Sequence, residues 1–298
     1  MHITVCIPTR NRGSAILPTL QGLTQQVYDD FDVIIVDQSD NDATETAIRT
    51  AIGRDDRFAV IRSSTCGVAT SLNIAVAHAR GPIISTTGHD CVALPDWLQR
   101  INQHFIENPK VGLICGEVHP APHDWTSGNI PYYHVPRRRL VTRAHQQWRA
   151  GGASGNMSYR IETLQRVGPF DEVFGAGAPL FAAEDSDMAY RIVRAGYHML
   201  LVEDVCVTHD HFHKWDEMRE YSRVNGVGIG AAYMKHLRMG DVTVIPVLLT
   251  EPLRAIQWSR VLRFQRPFGL AYSIGCLQGL KLCLRYSIDR KHRVLRSV

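Results

Sequence analysis

Five short apolar, β-branched runs, Ile3–Pro8, Asp32–Val36, Phe58–Ile61, Pro82–Thr86 and Val111–Glu117, alternate with segments of helical periodicity at Ser14–Gln26, Ala43–Ile52, Val68–Ala79 and Asp96–Glu107. A strand with one wet face alternates apolar and polar residues, whereas one that is apolar at successive positions must bury both faces. Continuous strands separated by helices therefore predict an α/β chain: a doubly wound, mostly parallel sheet flanked by helices. With 298 residues, 45% of them hydrophobic, the chain has ample apolar content to bury a core.

The pattern lapses between His119 and Arg149, where Pro120, Pro122, Pro131 and Pro136 mix with aromatics and the basic run Arg137-Arg138-Arg139. So long a stretch without period reads as a functional loop or lid. Regularity resumes after Gly151, with a helix near Phe181–Ala195, strands at His198–Val202 and Val205–Thr208, and a polar helix from Trp215 towards Arg238.

Charge is unevenly spread. The net +4 conceals a +9 tail over residues 254–298 and a −5 body before it. Such asymmetry points to an anionic partner for the tail, membrane or nucleic acid, and the absence of a recognisable binding module disfavours nucleic acid. Within the tail, Leu277, Leu280 and Leu284 fall on one side of a helix and Gln278, Lys281 and Arg285 on another. That face suits either an anionic leaflet or packing on the body. No run of eighteen apolar residues occurs. Seven cysteines without a C-x-x-C pair suggest buried free thiols, and Met1-His2-Ile3-Thr4-Val5 lacks a basic leader. The expectation is a cytoplasmic protein, peripheral on the cytoplasmic face of a membrane.

In an open parallel sheet, ligands bind beyond the carboxyl ends of the strands. Those positions carry Pro8-Thr9-Arg10-Asn11-Arg12, Asp37-Gln38-Ser39-Asp40 and Gly88-His89-Asp90. Neither G-x-G-x-x-G nor G-x-x-x-x-G-K-[ST] is present, so phosphates would be neutralised by a divalent cation on carboxylate oxygen, with Asp90 best placed. Asp90 is equally readable as a turn residue ahead of Pro95. Glu184-Asp185-Ser186-Asp187 delivers three acids into a helix start, where Asp187 and Arg191 form an i,i+4 pair and a neighbouring carboxylate can act as general base. His209, His211 and His213 share one face of an extended strand, which raises zinc and a zinc hydrolase; the favoured reading is one histidine completing a site with Asp90.

Pro8-Thr9-Arg10-Asn11, Val36-Asp37, Gly67 to Asn73, Gly88-His89-Asp90 with Pro95-Asp96-Trp97-Leu98, Gly155-Asn156, Gly168-Pro169-Phe170-Asp171, Glu184-Asp185-Ser186-Asp187 with Arg191, and His209 occur in this order. The ordered set, spanning roughly residues 2–240, resembles the family 2 glycosyltransferases of the GT-A fold. The resemblance implies a nucleoside-diphosphate sugar donor, bound through Pro8, Thr9, Arg10, Asn11, Asp37, Asn73 and His89. It implies Mg²⁺ or Mn²⁺ at Asp90 and His209, Asp185 as the base that deprotonates an acceptor hydroxyl, and Glu184 ordering that base. One base without a covalent partner implies inversion.

The divisions expected on this basis are a nucleotide-sugar-binding half over 1–118, an acceptor-binding and catalytic half of the same domain over 119–240, and a basic amphipathic extension over 241–298. The acceptor would be a glycan or lipid-linked molecule, with an anionic membrane surface met by 254–298. Three positions depart from the pattern: Gly88 stands for the first acid of D-x-D, Arg10 for the aromatic that stacks on the base, and Leu72 for an arginine before Asn73. The incomplete D-x-D motivates a rival reading, a catalytically silent sugar-nucleotide-binding scaffold in polysaccharide assembly.

Overall fold

The computed structural model describes residues 1–251 and 268–297. Its first half runs β1 (Ile3–Thr9), α1 (Leu17–Thr24), β2 (Phe31–Asp37), α2 (Ala43–Ile52), β3 (Phe58–Arg62), α3 (Val68–His78), β4 (Ile83–Thr87), β5 (Cys91–Ala93), α4 (Trp97–Glu107) and β6 (Val111–Pro120). The second half contributes β7 (Gly128–Asn129), β8 (Arg139–Val141), α5 (Ala144–Ala150), β9 (Asn156–Arg160), α6 (Ile161–Val167), α7 (Glu184–Arg194), β10 (His198–His209), β11 (His213–Lys214) and α8 (Trp215–Arg238).

One nine-stranded sheet has the order β3-β2-β1-β4-β9-β6-β10-β5, with β8 also on β10. The pairs among β1, β2, β3 and β4 are parallel, as is β6 with β10. β9 is wedged antiparallel between β4 and β6, and β5 and β8 lie antiparallel on β10. The two expected strands His198–Val202 and Val205–Thr208 are one strand, interrupted by a register shift between Leu201 and Cys206. The segment expected to be irregular over 119–149 holds β7, β8 and most of α5.

Burial on both faces explains the continuous apolar runs. Ile3, Val5 and Ile7 of β1 pack in a cluster with Leu23, Trp97 and Phe105, while the intervening Cys6 packs on the other side with Leu72, Met188 and Ile192. All seven cysteines are free; Cys66 is exposed and the other six are buried.

The C-terminal segment is part of the body. Its helix, Phe268–Cys283, lies along α8. A Cβ added at Gly226, Gly230, Gly275 or Gly279 would come within 2.1, 2.1, 2.0 and 2.0 Å of the carbonyl oxygens of Tyr272, Cys276, Arg223 and Val227. The two backbones touch, which only glycine permits. Of the two roles weighed for this helix, packing on the body is realised through the glycine face. Leu270, Ile274, Leu277 and Leu284 point outward instead, 43–65% exposed. A hairpin, β12 (Tyr286–Asp289) and β13 (Val294–Ser297), follows, with Val294 and Leu295 buried. Among the basic residues assigned to membrane contact, Arg254, Arg260, Arg263 and Arg266 lie outside the described residues. No helix among the described residues is long and apolar enough to cross a membrane.

Candidate active site

The parallel strands β1, β2 and β4 end at the mouth of a cavity of about 370 Å³, lined by Pro8, Thr9, Arg10, Gln38, Thr87 and Asp90 among others. Hydrogen bonds between successive strand-end loops shape it. Asn11, at φ +54°, accepts from Asp40 N (2.9 Å), donates its side-chain amide to Asp40 Oδ2 (2.7 Å) and donates its backbone N–H to Ser39 Oγ (2.7 Å). The Arg10 guanidinium spans Asp40 and Cys66, 3.3 Å from Asp40 Oδ1 and 2.8 Å from Cys66 Sγ.

Asp37 is fully buried, accepting from Ser39 Oγ at 2.5 Å and from Arg62 at 3.1 Å, so it holds the loop and its neighbour Gln38 faces the cavity. Asn73 likewise lines neither cavity of the site; its amide binds the Phe170 carbonyl and Glu172. Thr9 Oγ1 and Thr87 Oγ1 are buried without a hydrogen-bond partner among the described residues. Orphaned hydroxyls on a cavity wall are groups whose desolvation a polar ligand would offset.

A second cavity of about 650 Å³ shares Arg12, His89, Asp90 and Gly155 with the first and extends to Glu184, Asp185, His209, His211, Tyr132 and Tyr221. Asp90 stands where the two meet. Its Oδ2 lies 3.2 Å from His89 Nε2, 3.4 Å from His211 Nδ1 and 3.7 Å from His209 Nε2. Burial pushes the Asp90 carboxyl up, but hydrogen bonds from His209, His211 and His89 outweigh this and hold it well below the usual carboxylate range. A Cβ at Gly88 would meet Asp90 Oδ1 at 2.5 Å, so a side chain at the first D-x-D position would displace this carboxylate. One ionised carboxylate within reach of several imidazoles is a donor set that fits a divalent cation. His211 was visible in the alternating histidine run but not singled out; the structure brings it to Asp90 beside His209. The three imidazoles of the run do not converge on one point: His211 and His213 stack at 4.6 Å, and His209 and His211 at 6.4 Å.

The acids of α7 arrive on a strained turn. Phe181 and Ala183 both take positive φ, +64° and +77°, conformations that cost side-chain-bearing residues about 1–3 kcal/mol each. The turn rests on α8, where a Cβ at Gly228 would lie 2.4 Å from the Ala182 carbonyl oxygen. Burial, then the charge of Asp185, pushes Glu184 up to about 8. Burial also raises the Asp185 carboxyl, although Ser186 N–H donates to its Oδ1 at 2.6 Å. Burial therefore favours the protonated form of both carboxyls, and at Glu184 the charge of Asp185 favours it further.

Beneath them lies a charge network of which the sequence announced only the Asp187–Arg191 pair. Lys235 Nζ bridges Asp171 (2.8 Å) and Asp187 (2.7 Å), Arg191 reaches Asp187 at 2.9 Å, and His236 Nε2 reaches it at 2.9 Å, all with fully buried side chains. Leu295 N–H of the terminal hairpin donates to Asp171 (2.8 Å). Asn156 also proves structural, tying Trp97 to the Glu117 and Val205 carbonyls.

A mostly parallel sheet flanked by helices, its strand ends opening on one cavity at Asp90 and on a wider one that reaches Glu184 and Asp185, has the fold of GT-A glycosyltransferases. Solved structures share it: the mannosyltransferase PcManGT from Pyrobaculum calidifontis, in complex with GDP-Man and Mn²⁺, superposes with a TM-score of 0.61 at 20% identity over 97% of this chain and 77% of that one. Staphylococcus aureus TarS 1–349 in complex with UDP-GlcNAc gives 0.58 at 14% identity over 97% and 94%.

Residues 4–168 match the Glycosyl transferase family 2 profile, and 87–268 that of Glycosyl transferase family group 2. The chain belongs to glycosyl transferase family 2. It is 24% identical over 77% of its length to 72% of the O-antigen chain rhamnosyltransferase RfbN of Salmonella typhimurium. It is 30% identical over 48% of its length to the Mycobacterium tuberculosis protein MT1568, where the match spans 44% of that protein. An uncharacterized glycosyltransferase of Haemophilus influenzae is likewise matched over 44% of its own length.

Proposed function

We propose that this chain is an inverting glycosyltransferase that moves a sugar from a nucleoside-diphosphate donor to a hydroxyl of a glycan or lipid-linked acceptor. The observation that carries this reading is the shared wall at Asp90: a cavity lined by orphaned hydroxyls meets a wider one containing Asp185. The donor would occupy the narrower cavity, against Thr9, Arg10, Gln38 and Thr87. Asp90, His209 and His211 would hold Mg²⁺ or Mn²⁺, whose charge offsets that developing on the departing diphosphate. Asp185 accepts the acceptor proton, while protonated Glu184 keeps the pair at a single negative charge. With the base across the sugar from the leaving group, a single displacement inverts the anomeric carbon.

The relatives support the donor and acceptor classes: solved neighbours hold GDP-Man or UDP-GlcNAc, and the Salmonella relative is named for O-antigen chains. Exposed aromatics at the rim favour a carbohydrate acceptor; Tyr132, Phe181 and Tyr221 border the wider cavity, and Trp125 meets Tyr132 edge to face at 6.4 Å. Sugar turnover from a panel of nucleotide sugars, beside calorimetry with Mg²⁺ and with Mn²⁺, tests the reading. Transfer with inverted product is expected; donor binding with neither transfer nor hydrolysis would establish the silent scaffold instead.

The outward stripe Leu270, Ile274, Leu277 and Leu284, beside Lys281 and Arg285, supports attachment to an anionic membrane surface, the proposed side being the cytoplasmic one. Salt-sensitive sedimentation with anionic vesicles should weaken in a Leu277→Glu, Leu284→Glu double variant, whose changes lie away from the glycine face. Unaltered sedimentation would remove this role.

A further inference from the structure

We propose that Glu117, His119 and Cys206 form a second metal site, of the zinc class, on the β6–β10 ladder and apart from the active site. None of the three lines either cavity. Glu117 and His119 are alternate residues of β6 and so share a face. Cys206 is the register partner of Glu117 on β10, placed there by the shift after Leu201. One ligand atom from each lies within 4.8 Å of the other two, and Glu117 Oε2 is 3.6 Å from His119 Nε2. Tetrahedral zinc, with bonds of about 2.0–2.3 Å, separates its ligand atoms by roughly 3.3–3.8 Å. The Glu117–His119 separation already falls in that range.

The surroundings call for a cation. Glu117 is 6% exposed, and its ion-pair partners among the described residues are imidazoles, His119 and His134, with no lysine or arginine. A buried carboxylate without a fixed counter-charge is costly. His134 engages Oε1, which leaves Oε2 for an ion and orients the carboxylate as an outer partner would. Arg100, whose charge acts on Cys206, is itself held by Asp96 and Asp204.

Burial and the Glu117 charge keep Cys206 a thiol, donating to the Glu203 carbonyl oxygen at 3.1 Å. Metal binding forms a sulfur–metal bond and releases the thiol proton to solvent. One thiolate, one imidazole and one carboxylate select a borderline ion such as zinc or cobalt(II) over magnesium. An ion here would fix β10 three residues before His209.

Cobalt(II) titration of the metal-free chain, followed by absorption, tests the site. A thiolate-to-cobalt charge-transfer band is expected, lost in Cys206→Ser and kept in Cys91→Ser, the control because Cys91 lies with Asp90 and His209. In His119→Ala the cobalt midpoint should rise by about tenfold or more. Absence of the band from the wild type, or any pattern other than loss in Cys206→Ser alone, overturns the proposal. Should Cys206→Ser not fold, His119→Ala decides on its own, since an unmoved midpoint contradicts a ligand role.

Discussion

Two sets of carboxylates on the first turn of one helix live in opposite electrostatic worlds. Asp187, fully buried, faces Lys235, Arg191 and His236; burial raises its carboxyl, yet these cations and the histidine hold it well below the usual range. Glu184, three residues earlier and buried, and Asp185, two residues earlier and half-buried, have no such partners among the described residues, and burial drives both upward. The sequence run E-D-S-D makes them look alike. Their difference follows from helical geometry: Asp187 turns inward to α8, where Lys235 and His236 wait, while Glu184 and Asp185 remain at the cavity wall. The first set holds the helix in place, and the second lines the wider cavity, where the proposed proton transfer would occur.

The largest way to break this contrast is to unpair the inner set. Lys235→Met should cost about 3–5 kcal/mol in urea unfolding, because it takes the cation from the buried Asp171 carboxyl and leaves Asp187 with Arg191 and His236 alone. A loss under about 1 kcal/mol would mean that the network is not what anchors α7.

Next comes the pH dependence of the outer set. Glu184 has a folded value of about 8 against an ordinary 4.5. Between those values the folded state binds the proton more tightly than the unfolded one, so its contribution is full below the lower value and is lost as pH rises to the upper. The slope is at most about −1.4 kcal/mol per pH unit. Glu184→Gln should remove that decline, read as melting temperature across the window; an unchanged decline would refute the shifted proton. Smaller still, His236→Leu should cost about 1–3 kcal/mol, the loss of one buried hydrogen bond to Asp187. Equal losses for His236→Leu and Lys235→Met would erase the distinction between a cation and a neutral imidazole that burial holds down, at about 4.

Much of the first half was legible because a parallel strand covered on both faces must be apolar at successive positions, as over 5–7 of β1 and 33–36 of β2. The spacing Asp187–Arg191 also showed a pair in advance. Lys235 and His236 did not show, since 48 residues separate Lys235 from Asp187 and no local period joins them. The antiparallel β9 was missed because a five-residue strand such as Asn156–Arg160 carries too little pattern. The helix contact did leave a mark, in the fourfold spacing of Gly226 with Gly230 and of Gly275 with Gly279, whereas the division of roles between Leu72, which lines the narrower cavity, and Asn73, which does not, depends on how α3 is turned.

Asp185 as the base is the centre of the proposed mechanism. Donor affinity and transfer rate should be measured together for Asp185→Asn, a change that keeps the shape and removes the charge. Unchanged donor affinity with transfer slowed by about 10²–10⁴-fold is the predicted result. Transfer at the wild-type rate would contradict the account directly.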